Sequence, residues 1–308
     1  MGEIRVGSSS WTDPTLLDSG WYPPGAKTAE SRLRYYASRF SLVEVDSTYY
    51  ALPSERNAAL WVERTPASFT FDVKAYGPFT QHPVDAKSLP PELRHAFRSK
   101  RVKHDRIPAS IMDMLFTRFV DALMPLHSAG KLGFILFQFP PWFLPDPDSR
   151  AWVERCQERM ADYKIAIEFR NRSWFDDSGV TQGWLRERGL PMVIVDAPQG
   201  FDNSVPPVLE VTDPELVVFR FHGRNATTWD ARGQTAAERF NYLYSEEELA
   251  GWVDPIRTLA EQARHTHVLF NNCYADKGVR NAARLAELVG AVQPDRTGSP
   301  PDQPSLLD

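Results

Sequence analysis

Residues 165–171 read IAIEFRN, an apolar, β-branched run that carries Glu168 and Arg170 near its downstream end. Side chains alternate across a strand, so these two charges share one face. Burying a charge is costly unless it is paired or put to use. The same pattern recurs along the chain. Glu44 and Asp46 close LVEVDSTYY, Lys74 closes FTFDVKA, Asp196 closes PMVIVDAP, and Arg220 and His222 close LVVFRFHG. Charges gathered at the downstream ends of successive strands are the means by which a parallel barrel presents an active site.

Working outward, short β-branched and aromatic runs alternate with helical patterns, the signature of βα units. Strands are predicted at 4–7, 42–48, 69–75, 132–139, 165–171, 191–197, 216–223 and 266–272. Helices are predicted at 28–39, 54–64, 108–128, 149–161, 179–188, 245–264 and 277–290. Ser54, Pro108 and a capping box of Ser245 with Glu248 mark helix starts. The fold class is therefore α/β, a (β/α)8 TIM-barrel-like domain over 1–292. Its sixth unit is irregular, because APQGFDNSVPPVLEVTDPE (197–215) is too rich in proline for a helix. A doubly wound open sheet is the structural alternative. Neither a G-x-G-x-x-G turn nor a Walker A loop is present, which counts against nucleotide-cofactor folds. Residues 293–308 are polar and proline-rich and read as a disordered tail.

The chain has 308 residues and a net charge of −5, which argues against indiscriminate polyanion binding over the whole surface. No apolar run reaches membrane-spanning length. The start MGEIRVGSSS reads directly as a strand without a secretory pattern, and Cys156 and Cys273 are the only cysteines. Reduced thiols and a cytoplasmic location are expected.

The ordered motifs GSSSW, VEVDSTYY, FDVKA, LGFILFQFPPWF, IEFRNRSWF, VVFRFHGRN with Trp229, YSEEELAGW and FNNC resemble the YecE-like family, domain of unknown function 72. The resemblance covers about residues 6–283. It implies a TIM-barrel-like fold and, since the family has no established activity, no particular reaction. Asp46 stands where Asn is common in the family, and Asn171 where His is common.

The strand-end charges define the candidate chemistry. Glu44, Glu168, Asp196 and His222 are the expected acids and bases. Asp46, Lys74, Arg170, Arg220, Arg224 and Asn271 are expected to hold substrate, with Arg170 and Arg220 suited to a phosphate or carboxylate. Trp11 and Trp174 follow strands and offer flat rings for stacking, whereas Trp142, after two prolines, reads as a structural plug. Cys273 reads as a small filler. No zinc motif is present and no particular cofactor is implied; the carboxylates offer oxygen ligands of the kind Mg or Mn takes, which leaves either metal as an open expectation. An internal salt-bridge network filling the barrel is the bland alternative.

Two segments add partners. RHAFRSKRVKHDR (94–106) carries Arg94, Arg98, Lys100, Arg101, Lys103 and Arg106 against Asp105, and follows strand three on the catalytic side of a barrel. It reads either as solvated surface or as a set of contacts to a nucleic-acid backbone. In the tail, Gln303, Ser305, Leu306 and Leu307 resemble the short peptides that dock replication and repair proteins on the sliding clamp. The expected function is an enzyme, a hydrolase or lyase acting by acid–base chemistry on a phosphate-bearing substrate, DNA or RNA or a nucleotide. A carbohydrate or sugar-phosphate hydrolase or isomerase is the second reading, and a non-catalytic adaptor in DNA metabolism is the third.

Overall fold

The computed structural model describes residues 2–295 except 98, 177–178 and 232–235. Its core is one eight-stranded parallel sheet. The strands are β1 (Glu3–Ser8), β2 (Leu42–Val45), β3 (Thr70–Lys74), β4 (Leu132–Gln138), β5 (Ile165–Glu168), β6 (Val193–Asp196), β7 (Leu216–Phe221) and β8 (His265–Phe270). They pair in sequence order, with β8 joining β1. A bridge between Ile167 and Met192 brings β5 against the start of β6, with the Ile167 amide donating to the Pro191 carbonyl at 2.8 Å. The sheet thus closes into a TIM-barrel-like cylinder, and the open-sheet alternative falls away.

Two apolar layers result from the strand alternation. Leu42, Phe134, Leu136, Ala166, Val193, Val195, Leu216, Val218 and Leu269 cluster inside the barrel. Val43, Phe71, Val73, Ile135, Ile167, Ile194 and Phe219 belong to the larger cluster between sheet and helices. By the same parity Glu44, Lys74, Glu168, Arg170, Arg220, His222 and Asn271 belong to the inner set. Asp196 has the parity of Ile194 and belongs to the outer set.

All eight predicted strands are present; the first is a residue longer at each end, Glu3–Ser8, and the others end one to three residues earlier than expected. Most helices match: Ala29–Arg39, Glu55–Glu63, Ala109–Ser128, Pro147–Arg159, Val180–Glu187 and Lys277–Val289. Ser54 accepts the Asn57 amide, and the Ser245–Glu248 capping box forms in both directions. The helix predicted at 245–264 is instead two, Glu246–Ala250 and Val253–Ala260. Gly251 and Trp252 interrupt it, and Trp252 turns in to pack on Phe221 at 5.1 Å. The segment 197–215 contains no helix, as its prolines require. The connection after β3 carries a two-stranded antiparallel ribbon, Val84–Asp85 against Arg101–Val102. Among the described residues no helix is long and apolar enough to cross a membrane.

The lower part of the barrel holds a buried pair that the sequence reading overlooked. The His267 ring nitrogen Nδ1 lies 3.0 Å from each Asp72 carboxylate oxygen. Gly133 makes room for it, because a Cβ there would fall 2.3 Å from Asp72 Oδ1 and 2.8 Å from the His267 ring. Gly133→Ala is therefore expected to destabilise the fold by about 1–3 kcal/mol through overpacking. Urea denaturation at neutral pH checks this; an unchanged midpoint would contradict the packing described.

Candidate functional site

At the downstream mouth of the barrel the interior changes from apolar to charged. Arg220, fully buried on β7, reaches across to β2 and β5. Its Nε and Nη2 donate to the two oxygens of Glu44 at 2.9 and 2.7 Å, and its Nη1 donates to Glu168 Oε2 at 2.5 Å. The other Glu168 oxygen accepts from Gln138 Nε2 at 2.7 Å and Arg170 Nη1 at 3.1 Å, with His222 Nε2 at 3.0 Å. Burial opposes the charge of Glu168, yet Arg220, His222 and Arg170 together hold it well below the usual carboxylate range. Glu168 is thus ionised and saturated with donors. Glu44 is pushed upward by burial and pulled back by Arg220 and Lys74.

His222 is held from both sides. The Asn271 amide nitrogen is 2.8 Å from Nδ1. With that amide donating, the imidazole proton is on Nε2 and is given to Glu168. Burial, with Arg170 next to it, pushes the His222 pKa down to about 3, so the ring is neutral. Arg170 lies across the Trp229 ring, 5.0 Å from its centroid. Trp229 itself is buried and donates to Asn203 at 2.8 Å, so the irregular sixth connection and the segment after β7 cover part of the mouth.

Above this network stand two groups that nothing claims. Asp46, just past β2, and Lys74, the last residue of β3, are half-buried. Among the described residues neither side chain has a hydrogen bond or ion pair. Burial raises Asp46 to about 6, with Lys74 opposing and Glu44 adding to the shift. Burial also lowers Lys74, and Arg220 lowers it further against Glu44, Asp46 and Glu168. The Lys74 ammonium lies 4.9 Å over the Tyr49 ring. Burial alone moves an acid up and an amine down, so both shifts report desolvation at the mouth of the barrel.

The structure brings together Glu44, Asp46, Lys74, Glu168, Arg170, Arg220, His222 and Asn271. It separates the others. Asp196 is on the outer face of β6, gripped by Arg224 Nε and Nη2 at 2.9 Å and by the Tyr244 hydroxyl at 2.5 Å. Arg224 also donates to Glu248 at 3.2 Å. Asp196 and Arg224 tie the segment after β7 to the helix at 246–250, away from the mouth. Trp11 is buried edge-on against Trp61 at 5.9 Å and Phe71 at 6.3 Å. Trp174 is fully buried, stacked on Phe169 at 3.9 Å with its indole nitrogen donating to the Phe143 carbonyl. Neither ring is free for a substrate. Trp142, read from sequence as a plug, is instead 60% exposed, as is Tyr50 at 62%.

Of the four carboxylates considered for Mg or Mn, Glu44 and Glu168 face Arg220 and Asp196 faces Arg224, leaving Asp46. Among the described residues no group of three or more His, Cys, Asp or Glu side chains is arranged to hold a metal. On the rim, Arg94, Lys100, Arg101, Lys103 and Arg106 are exposed, with the Arg94 guanidinium donating to the Leu89 carbonyl at 2.9 Å. His82 bridges this region, its ring 5.1 Å from Tyr49 and 5.7 Å from Trp142. Arg98 and the tail residues Gln303, Ser305, Leu306 and Leu307 lie outside the described residues.

A family model described as Protein of unknown function DUF72 matches residues 5–305. The chain belongs to that family. It is 34% identical over 292 residues to the UPF0759 protein YunF of Bacillus subtilis (strain 168), covering 93% of this chain and 94% of that one. It is 25% identical over 198 residues to the UPF0759 protein YecE of Escherichia coli (strain K12), covering 63% of this chain and 59% of that one. Among solved structures, a DUF72 family protein from Enterococcus faecalis V583 superposes with a TM-score of 0.78 at 28% identity, covering 98% of this chain and all of that one. A DUF72 family protein from Thermotoga maritima MSB8 gives 0.74 at 29% identity, covering 94% and 99%.

Removing the central cation leaves two carboxylates buried without their partner. Arg220→Met is expected to cost about 3–5 kcal/mol, read as a lowered urea midpoint at pH 7. A midpoint within experimental scatter of the parent would mean that the guanidinium does not hold the mouth together.

Proposed function

We propose that this DUF72 protein is an enzyme acting at the barrel mouth on a phosphate-bearing substrate, nucleic acid or nucleotide, by general acid–base catalysis in a cleavage or elimination step. The observation that carries the reading is that Asp46 and Lys74, each without a hydrogen bond or ion pair among the described residues, stand above a network in which Glu44, Glu168 and Arg220 are already paired. Between about pH 6, where Asp46 ionises, and the lowered range of Lys74, the pair carries one carboxylate and one ammonium. One proton can then be taken and another given without recruiting either from bulk water. Glu168, Glu44 and His222 act as the rigid support that fixes this pair, in place of the proton-transfer roles expected from sequence.

Three features support an anionic, base-bearing substrate. Arg170 uses only Nη1 in hydrogen bonds among the described residues, donating to Glu168 at 3.1 Å, and its planar fork matches a phosphate. Lys100, Arg101, Lys103 and Arg106 provide a cationic rim next to the mouth. Tyr50 and Trp142 add exposed rings on the same side, an arrangement suited to stacking unpaired bases. The glycosidase reading loses support, because Arg220 holds both Glu44 and Glu168 and leaves neither as a free acid. The Gln303–Leu307 motif extends the proposal to delivery by a sliding clamp.

The substrate class is tested by fluorescence anisotropy with a labelled single-stranded oligonucleotide. Replacing Lys100, Arg101, Lys103 and Arg106 by Glu is expected to abolish binding at moderate salt. Trp142→Ala is expected to cost about 1–3 kcal/mol of affinity. Binding that is absent in the parent, or indifferent to these changes, would remove nucleic acid as the substrate.

A further inference from the structure

We infer that Lys74 is an imine-forming amine that captures the carbonyl of a phosphorylated sugar, whether a free sugar phosphate or the ring-opened sugar of a base-less nucleotide. The inference rests on the Asp46–Lys74 reading above and specifies the covalent chemistry of that site.

Lysines held for structure look different in this molecule. Lys131, also buried, points its ammonium at the Val62 carbonyl, the Thr65 carbonyl and the Thr65 hydroxyl, at 2.8, 2.8 and 3.0 Å. Lys164 is paired with Asp213 at 2.5 Å. Lys74 has no such partner among the described residues, though it ends a barrel strand at the mouth. The charges that act on it are Glu44 on β2, Asp46 just past β2, Glu168 on β5 and Arg220 on β7; it acts in turn on His82 in the connection after β3, and its ammonium lies over the Tyr49 ring. A lysine desolvated in this way next to a second cation is the arrangement that yields a nucleophilic amine. Burial and Arg220 work in the same direction on its charge.

The step balances with groups already present. Asp46 and Lys74 make no direct ion pair, so a water relays one proton from the Lys74 ammonium to the Asp46 carboxylate, leaving a neutral amine and a carboxylic acid at the mouth. The amine lone pair forms the N–C bond, the carbonyl π electrons go to oxygen, and that oxygen takes a proton from Asp46. The nitrogen of the resulting carbinolamine returns its proton to Asp46, which passes it to the hydroxyl as the C–O bond breaks. Water leaves with that electron pair, and the C=N bond forms. Asp46, once more a carboxylate, can then remove a proton from the adjacent carbon, its C–H electrons flowing into the iminium. A phosphate on the next carbon would depart with its C–O electrons and take the proton held by Asp46, which returns to a carboxylate. Water finally hydrolyses the imine and restores the amine. Arg170, on the far side of the Glu168–His222 network, is available for the phosphate.

The test uses the full chain and two probes in separate arms, glyceraldehyde 3-phosphate and a single-stranded oligonucleotide containing one base-free deoxyribose. Each is incubated with and without sodium borohydride, and adducts are located by peptide mass spectrometry. The expected result is a borohydride-dependent secondary amine on the peptide containing Lys74 in at least one arm. The reactive arm identifies the source of the sugar. The adduct should be lost in Lys74→Met and formed on the order of a hundredfold more slowly in Asp46→Asn, with circular dichroism showing both variants folded. Adducts absent from the parent in both arms, or spread over surface lysines and retained in Lys74→Met, would overturn the inference. Turnover that depends on Asp46 without any Lys74 adduct would remove the imine and leave the acid–base site standing.

Discussion

The Arg220 guanidinium, fully buried between Glu44 and Glu168, is the constraint on which the mouth of the barrel depends. A planar fork with fixed donor directions can grip one carboxylate with two nitrogens while a third reaches another, a bidentate geometry that a lysine's single nitrogen cannot supply. Its grip links β2, β5 and β7 across the cylinder. From Glu168 the network extends to Gln138 on β4, to Arg170, and through His222 to Asn271 after β8. Charge inside a protein is tolerated only when it is paired and hydrogen-bonded, and here both buried carboxylates face a cationic partner. The result is a rigid polar floor laid over the apolar barrel interior.

That floor gives the remaining groups their character. Asp46 and Lys74 are close enough to feel its field but receive none of its hydrogen bonds. Their ordinary charged forms are disfavoured by burial, and their own attraction compensates only in part. Asp196 and Arg224 illustrate the opposite outcome. They too close or follow a strand, yet they satisfy each other on the outer face and serve to hold loops. Proximity to a strand end is therefore insufficient; the face and the state of pairing decide.

Much of the fold was legible because its signals are local. IAIEFRN, LVVFRFHG and HTHVLFNN announce strands by β-branching and spacing, and SEEE announces a helix start. The parity of Glu168 with Arg170, and of Arg220 with His222, correctly put these residues on one side. The failures share a physical cause, since each depended on contacts between distant segments. Asp196 differs from Glu168 only in its phase within the strand, which its neighbours Ile194 and Val195 leave ambiguous because both are apolar. Trp174 follows a strand, a position that suggests an available ring, whereas Phe169, Phe143 and Trp184 bury it. Trp142 follows two prolines yet, among the described residues, meets the His82 ring and stays 60% exposed. The Asp72–His267 pair could have been suspected, since each is a polar residue at an inner position of an apolar strand. The unclaimed state of Asp46 and Lys74 has no sequence signature, because it consists of partners that are missing in space.

The most direct measurement is the titration of the Lys74 amine itself, followed by the NMR shift of its labelled ε-carbon and assigned through its disappearance in Lys74→Met. The account predicts a midpoint below the ordinary lysine range, moving lower still in Asp46→Asn as the carboxylate that supports the ammonium is removed. A Lys74 that titrates like a surface lysine, and is indifferent to Asp46, would contradict it.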